Sequence, residues 1–181
     1  MAGIDEARPF IPVHIAVMTV SDTRTLEDDR SGQVLADRLS DAGHVLADRA
    51  IVKDDVEQIR ARLRAWIADP AIDVIISTGG TGLTGRDVTP EAFKSVYEKE
   101  IEGFAILFHR ISFDKIGTST IQSRATAGVA GGTYLFALPG SPGACKDGWD
   151  EILKYQLDNR YRPCNFVEIM PRLEEHRRPA G

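Results

Sequence analysis

Apolar and polar positions alternate along this chain in blocks that predict strands and helices in turn. Four short segments predict strands at residues 13–20, Val45–Val52, 73–77 and Thr133–Leu138, and the apolar, β-branched run at 13–20 predicts a buried strand. Apolar residues three and four apart predict helices at residues 31–42, at 54–67, from 89 onward, at 103–113 and from 143 to about 157, and the small-residue stretch 118–130 also predicts a helix. This alternation is typical of an α/β domain with three layers, α/β/α, around a mostly parallel sheet.

Cap signals mark where several of these helices begin and end. Ser31 is placed to cap the first helix, and Gly43 stands where a helix is commonly terminated. Asp54 begins a capping-box pattern ahead of the second helix. Thr89 followed by Pro90 predicts the start of a third helix, with threonine as its cap.

The chemically richest loops all follow predicted strands. They are residues 21–24, the glycine loop at residues 78–87 (TGGTGLTGRD) and the Pro-Gly-Ser loop at residues 139–143, and the turn that carries Asp54 also follows a strand. In parallel sheets ligands bind outside the carboxyl ends of the strands. The sequence therefore predicts one ligand site at this edge of the sheet.

The glycine loop matches two nucleotide motifs only in part. Residues 80–85 fit G-x-G-x-x-G, but the loop follows the third strand rather than the first, and the next helix starts only at Thr89. The phosphate-loop spacing is also present, yet Arg86 and Asp87 replace its lysine and hydroxyl residue. Two interpretations of the glycine loop remain: it is a tight turn, or its backbone N–H groups face an anion. The second glycine-bearing strand end, residues 139–143, favours the anion.

Two acids in these loops have two possible roles each. Asp87 lies beside the glycine loop, where a carboxylate repels an anion unless a cation intervenes or the carboxylate serves as a base. Its other possible role is to favour the start of the helix at Thr89. Asp54 is either a catalytic or metal-binding group or the cap of its helix.

Composition narrows the class of protein. The 181 residues, 43% hydrophobic with a net charge of −5, predict one domain over residues 1–181, with an ordered core at about 10–172 and a tail at 173–181. The acidic balance argues against a general nucleic-acid binder, and no apolar run reaches the roughly 18–20 residues that span a bilayer. Cys145 and Cys164 give neither a disulfide framework nor a metal motif, so we expect reduced thiols and a cytoplasmic location.

Four separated blocks carry a resemblance to a known family. They are TVSDTR, STGGTGLTGRDVTPEAF, EIEGFAILFHRISFDKIGTSTIQSRATAGV and FALPGSPGAC. In this order they resemble the molybdopterin-binding MoaB/MogA family over about residues 13–171. The third block and the closing RPCNF are more similar to the MoaB branch.

The resemblance implies a role in molybdenum cofactor biosynthesis and a set of site residues. Relatives adenylylate molybdopterin with Mg²⁺ and ATP, giving adenylyl-molybdopterin and pyrophosphate. Asp54 and Asp87 match the acids needed for this activity and are the implied catalytic and magnesium-binding residues, and Ser21 and Asp22 fall near the expected nucleotide. The implied molybdopterin-binding residues are Gly79, Gly80, Thr81, Gly82, Ser119, Ser123, Arg124, Pro139, Gly140 and Ser141.

This chemistry suits the residue types. Both substrates are anionic, so catalysis depends on positioning and on charge neutralisation. Mg²⁺ takes oxygen ligands, usually one or two carboxylates together with phosphates. The cationic side chains in or beside the loops either offset the triphosphate charge or are solvated surface charges, and they are Arg24, Arg86, Arg124 and Lys146.

Three functions stay in view. The first is molybdopterin adenylyltransferase, favoured because acids stand at both Asp54 and Asp87, whereas some members of the MoaB branch vary there. The second is a catalytically silent molybdopterin carrier of the same pathway. The third is a nicotinamide dehydrogenase, which depends on the G-x-G-x-x-G match alone, since that loop does not follow the first strand. The resemblance also implies homotrimers or hexamers, and the apolar stretch 101–116 is the candidate contact surface.

Overall fold

The structure, a computed structural model, describes residues 1–177. Its strands are β1 (Gly3–Ile4), β2 (His14–Val20), β3 (Val45–Val52), β4 (Val74–Thr78), β5 (Lys99–Glu100), β6 (Thr126–Ala130), β7 (Thr133–Leu138) and β8 (Tyr161–Arg162). Its α-helices are α1 (Arg30–Asp41), α2 (Val56–Ile67), α3 (Thr89–Lys94), α4 (Glu102–Ile116), α5 (Pro142–Gly148), α6 (Lys154–Gln156) and α7 (Phe166–Ile169). A π-helical turn, Trp149–Leu153, joins α5 to α6, and 3-10 turns span Gly117–Gln122, Met170–Arg172 and Glu175–Arg177.

A six-stranded sheet organises the molecule, in the order β3-β2-β4-β7-β6-β5. The first four strands are parallel, whereas β6 and β5 run antiparallel to their neighbours. Helices cover both faces, which confirms the predicted α/β class. The carboxyl ends of β3, β2, β4 and β7 lie side by side at one edge of the sheet.

The two faces of the sheet bury two separate apolar cores. Alternate residues of β2 divide between them: Ile15 and Val17 face α1, α4 and α5, whereas Ala16 and Met18 face α2 and α3. Because both sides of each central strand are buried, the parallel strands appear in the sequence as continuous apolar runs. This explains why β2, β4 and β7 are predicted correctly to within a residue. The bounds of β3 are also predicted correctly, although this edge strand is exposed along its first half.

Two helix caps differ from the prediction. Asp29, rather than Ser31, caps α1, and the Ser31 hydroxyl donates instead to the carbonyl of Gly140 at 2.8 Å. Asp55, rather than Asp54, caps α2, and its carboxylate accepts from the backbone N–H of the third helical residue, Gln58. The carboxylate of Asp54 is therefore not used as a cap.

The predicted helix over residues 118–130 is wrong. A 3-10 turn, Gly117–Gln122, leads instead into strand β6. A Cβ atom on Gly128 would lie 2.4 Å from the ring of Tyr97, so the small residue makes room for an aromatic ring packed on the strand. Small residues here serve close packing on a sheet, which their composition alone does not distinguish from a helix.

Both ends of the described chain are tied to the rest of the fold. Strand β1 pairs with β8, so order extends before residue 10. Within the predicted tail, Arg177 forms an ion pair with Glu98 at 2.8 Å. Residues 178–181 of the predicted tail lie outside the described residues.

The buried imidazole of His44 is expected to make the free energy of unfolding depend on pH. Its buried ring lies 5.1 Å from the ring of Phe10 and 6.0 Å from that of Trp149, measured between centroids. Burial lowers the pKa of His44 from 6.5 to about 4, although Asp158 acts in the opposite direction. Between these pH values the unfolded chain binds a proton that the folded chain does not. We therefore expect the free energy of unfolding to fall by about 2 kcal/mol between pH 7.5 and pH 5, measured by urea unfolding.

The control is His44→Asn, which cannot titrate. The amide oxygen of asparagine keeps an acceptor for the backbone N–H of Val13, which bonds to Nδ1 of His44 at 3.2 Å. The variant should lose most of the pH dependence. An unchanged dependence would show that other groups cause it.

Candidate functional site

The two glycine-bearing loops meet at the carboxyl ends of β4 and β7. A Cβ atom on Gly140 would lie only 3.2 Å from the Cα atom of Gly79. The N–H of Gly79 donates to the carbonyl of Leu138 at 3.1 Å, and the hydroxyl of Thr78 donates to the carbonyl of Pro139 at 2.9 Å. The predicted convergence of these loops is confirmed.

Glycine is required at the start of the glycine loop. Gly79 and Gly80 have φ angles of +98° and +67°, a region that other residues rarely adopt. A Cβ atom on Gly79 would lie 2.3 Å from the carbonyl oxygen of Val20, and one on Gly80 would lie 3.0 Å from Oδ1 of Asp54. The carboxylate of Asp54 therefore lies directly against the loop.

Asp87 closes the far end of the same loop. Its Oδ2 accepts from the backbone N–H of Thr84 at 2.9 Å and from the Thr84 hydroxyl at 2.6 Å. Helix α3 begins at Thr89 itself, one residue earlier than predicted, so Val88 and not Thr89 stands at the cap position, and no side chain caps the helix. The hydroxyl of Thr89 donates to the carbonyl of Gly79 at 2.9 Å. Asp87 thus stabilises the loop and does not cap the helix.

Three carboxylates and one arginine face one another at this end of the sheet. Arg86 contacts Asp22 through Nε and Nη2 at distances between 2.7 and 3.0 Å, and this hydrogen bond lowers the pKa of Asp22. The N–H of Asp54 also donates to Asp22, at 3.2 Å. Burial raises the pKa of Asp54, and the negative charges of Asp22 and Asp87 raise it further, while Arg86 opposes them. The site holds negative charge that a cation would relieve.

A cavity of about 280 Å³ lies on the other side of Gly79, toward α1. Its lining includes two arginines, four hydroxyl residues, two glycines and one carboxylate: Arg24, Arg30, Thr19, Ser21, Ser31, Thr78, Gly79, Gly140 and Asp29. The glycine loop therefore separates a face of carboxylates from a cavity rich in hydroxyls and arginines, whose one carboxylate, Asp29, is already paired with Arg49 and Thr19. Donors and cations suit a phosphate, and carboxylates suit its metal counter-ion.

Arg124 contacts the glycine loop directly. Its Nε donates to the carbonyl of Gly82 and its Nη2 to the carbonyl of Asp87, both at 2.9 Å, while Nη1 bonds to Glu91. This guanidinium is therefore not a solvated surface charge.

The other predicted residues have varied surroundings. Ser119 is exposed, and the hydroxyl of Ser123 is buried with no hydrogen-bond partner. The hydroxyl of Ser141 caps α5 by accepting from the N–H of Ala144 at 3.1 Å. Lys146 is exposed at the surface.

Three features of the site were not predicted from the sequence. Arg30 lines the cavity, the hydroxyl of Ser31 donates to the carbonyl of Gly140, and the hydroxyl of Thr89 donates to the carbonyl of Gly79. Arg30 stands at the first position of α1, next to the buried cap Asp29. Its sequence context gives no signal, because only the fold brings the start of α1 beside Gly140.

Residues 1–177 contain neither a metal-binding cluster of side chains nor a membrane-spanning helix. No group of three or more histidine, cysteine, aspartate or glutamate side chains in that range is arranged to hold a metal ion. None of its helices is long and apolar enough to cross a membrane.

Both thiols are free, as predicted. Cys145 lies buried at the start of α5, and burial raises its pKa to about 12. Cys164 is exposed. The thiol nearest the site is therefore protonated at neutral pH and chemically inert.

Helix α4 and the turn after it present large apolar side chains to solvent. Ile106 is 71% exposed, Phe113 54%, Ile116 56% and Ile121 75%. The opposite side of the helix packs Phe104 and other residues into the core. We call these four exposed residues the α4 patch.

Comparisons with known proteins agree over most of the chain. A family model described as "Probable molybdopterin binding domain" matches residues 16–159. Molybdenum cofactor biosynthesis protein B of Escherichia coli (strain K12) is 52% identical over 157 residues, which cover 87% of this chain and 92% of that protein. A crystal structure of molybdenum cofactor biosynthesis protein B superposes with a TM-score of 0.83 at 38% identity, covering 94% of this chain and 100% of the other. The crystal structure of the tungsten cofactor synthesizing protein MoaB from Pyrococcus furiosus has a TM-score of 0.71 at 32% identity, covering 92% and 98%.

Proposed function

Because the chain belongs to the molybdopterin-binding family of molybdenum cofactor biosynthesis proteins, we propose that it adenylylates molybdopterin with Mg²⁺ and ATP. One observation carries the catalytic part of this proposal. The half-buried carboxylate of Asp54 lies against Gly80 and does not cap α2, because Asp55 does. The local helix therefore does not account for its position, which supports a role toward a ligand.

The glycine loop, the Pro-Gly-Ser loop and the cavity beside α1 supply the binding groups. In this proposal the loop and the residues around it hold the molybdopterin phosphate through N–H groups and hydroxyls, and Ser21 and Asp22 lie near the nucleotide. The full set proposed around molybdopterin is Gly79, Gly80, Thr81, Gly82, Ser119, Ser123, Arg124, Pro139, Gly140 and Ser141. Arg124 belongs to this set through the loop carbonyls that it contacts and not as a direct phosphate ligand. The close approach of the two strand ends, where a Cβ atom on Gly140 would lie 3.2 Å from the Cα atom of Gly79, supports a single shared ligand.

The residues present fit a magnesium ion that arrives with its phosphates. Mg²⁺ commonly uses one or two protein carboxylates and completes its shell with phosphate oxygens and water. Asp54 and Asp87 provide two carboxylates, and burial together with the charges of Asp22 and Asp87 raises the pKa of Asp54. When bound, the ion would neutralise charge on the phosphates.

The proposed reaction needs positioning more than proton transfer. An oxygen of the molybdopterin phosphate forms a bond to the α-phosphorus of ATP, and the bond from that phosphorus to the β-phosphate oxygen breaks to release pyrophosphate. The attacking phosphate is already ionised at neutral pH, so no general base is required. The loop N–H groups orient the attacking phosphate, and Arg24 and Arg30 offset charge in the cavity.

A direct assay separates this enzyme from a silent carrier. Purified protein is incubated with molybdopterin, ATP and Mg²⁺, and adenylyl-molybdopterin and pyrophosphate are measured together. Formation of both in equal amounts supports the enzyme. Tight binding of molybdopterin without either product would identify a carrier of the same pathway.

We also propose that the α4 patch joins copies of the chain into trimers or hexamers. Four large apolar side chains on one surface exceed what an isolated chain commonly exposes. Replacing Ile106 and Ile121 by aspartate is expected to give monomers, measured by light scattering at micromolar concentration. A wild-type chain that is already monomeric under these conditions would contradict the proposal.

A further inference from the structure

Arg124 directs its backbone and side-chain donors at the glycine loop. Its backbone N–H donates to the carbonyl of Thr81, and Nε donates to the carbonyl of Gly82, both at 2.9 Å. Nη2 donates to the carbonyl of Asp87 at 2.9 Å, so both halves of the loop are held by one residue. Both Nη atoms also bond to Glu91 of α3. Four of the five guanidinium N–H groups are thus used within the described residues, and one N–H of Nη1 is left over.

These contacts set the direction of two backbone N–H groups. In a trans peptide the C=O and the following N–H point to opposite sides of one plane. Because the carbonyls of Thr81 and Gly82 point at Arg124, the N–H groups of Gly82 and Leu83 point away from it. No hydrogen bond within residues 1–177 uses either of these two N–H groups. Successive free N–H groups of this kind form a concave binding site for an anion.

We propose that Arg124 is a positioning residue, which turns the N–H groups of Gly82 and Leu83 toward the phosphate of the ligand and does not itself bind that phosphate. The proposal rests on the proposed function only for the identity of the ligand. Arginine suits this role because its planar fork reaches two carbonyls at once, whereas the ammonium of lysine is a single point. Residue 124 is thus expected to tolerate neither lysine nor glutamine.

Hydrogen exchange tests the positioning role without any ligand. In Arg124→Lys, backbone amides of residues 81–87 should exchange faster than in the wild type, while exchange in the core strands stays unchanged. The matched control is Glu91→Gln, which weakens the ion pair but leaves both carbonyl bonds in place. Unchanged exchange in Arg124→Lys, or equal acceleration in Glu91→Gln, would overturn the proposal.

Binding measurements test the consequence. The dissociation constant for molybdopterin should rise by about tenfold to a hundredfold in Arg124→Lys and by less than about threefold in Glu91→Gln. Millimolar guanidinium should restore affinity to Arg124→Ala, since it can occupy the vacated position between the carbonyls. Wild-type affinity in Arg124→Lys would overturn the proposal.

Wild-type protein offers a test that does not depend on a variant folding. In NMR spectra the amide signals of Gly82 and Leu83 should shift when molybdopterin is added. A titration that shifts other loop signals but not these two would overturn the assignment. A wild-type chain that binds no molybdopterin would instead refute the proposed function, and the exchange result would still decide the role of Arg124.

Discussion

Replacing Gly79 by alanine is expected to abolish molybdopterin binding and to lower the free energy of unfolding by about 2–4 kcal/mol. The added Cβ atom would lie 2.3 Å from the carbonyl oxygen of Val20, and the φ angle of +98° disfavours any side chain. Relief requires the end of β4 to move away from β2 and toward β7, where Gly140 already lies close to Gly79, so the two loops cannot keep their arrangement. Urea unfolding and a binding titration measure the two effects.

Gly85 provides the matched control in the same loop. Its φ angle is not positive, and a Cβ atom there would meet nothing within 4 Å. Gly85→Ala should therefore leave binding and stability close to those of the wild type. If both variants behaved alike, the constraint at Gly79 would not be the reason for its glycine.

Replacing Asp54 by asparagine is expected to reduce turnover by about a hundredfold or more without loss of stability. Burial and two neighbouring carboxylates raise the pKa of Asp54, so its charge opposes folding at neutral pH. A neutral amide of the same shape removes that penalty, and unfolding should require slightly more urea than in the wild type. Lost turnover together with retained or raised stability is the signature of a functional carboxylate.

The neighbouring residue supplies the opposite control. Asp55→Ala removes the cap of α2 and should cost about 1 kcal/mol of stability while turnover persists. Asp87→Asn is a second test of the site, since its amide oxygen can still accept from Thr84 and the fold should survive. Normal turnover in both Asp54→Asn and Asp87→Asn would exclude the proposed chemistry.

Most of the sheet can be predicted from the sequence because its central strands are buried on both faces. The caps were harder, since neighbouring residues share the chemistry of capping. Asp54 and Asp55 are both suitable, and only the backbone conformation selects Asp55. Strand β6 was not predicted because its small residues make room for the ring of Tyr97, which is distant in sequence.

The candidate site was predictable to the level of its loops. Parallel strands bring their carboxyl ends to one edge, so residues far apart, such as Gly79 and Gly140, are expected to meet. The partners of individual side chains were not predictable. Arg124 turns to the loop carbonyls and Arg86 to Asp22 because of geometry that no local pattern encodes.

The order of the strands has a consequence for how such a site can change. From β2 the chain crosses to β3 on one side, and it then returns past β2 to β4 on the other, with α1 and α2 on opposite faces. Strands β2 and β4 thus flank a topological switch point, where the outgoing connections diverge and leave a crevice. That crevice follows from the path of the backbone and needs no particular side chain. Substitution of the acids around it would remove chemistry yet keep the cleft, so a binder and an enzyme can share this architecture.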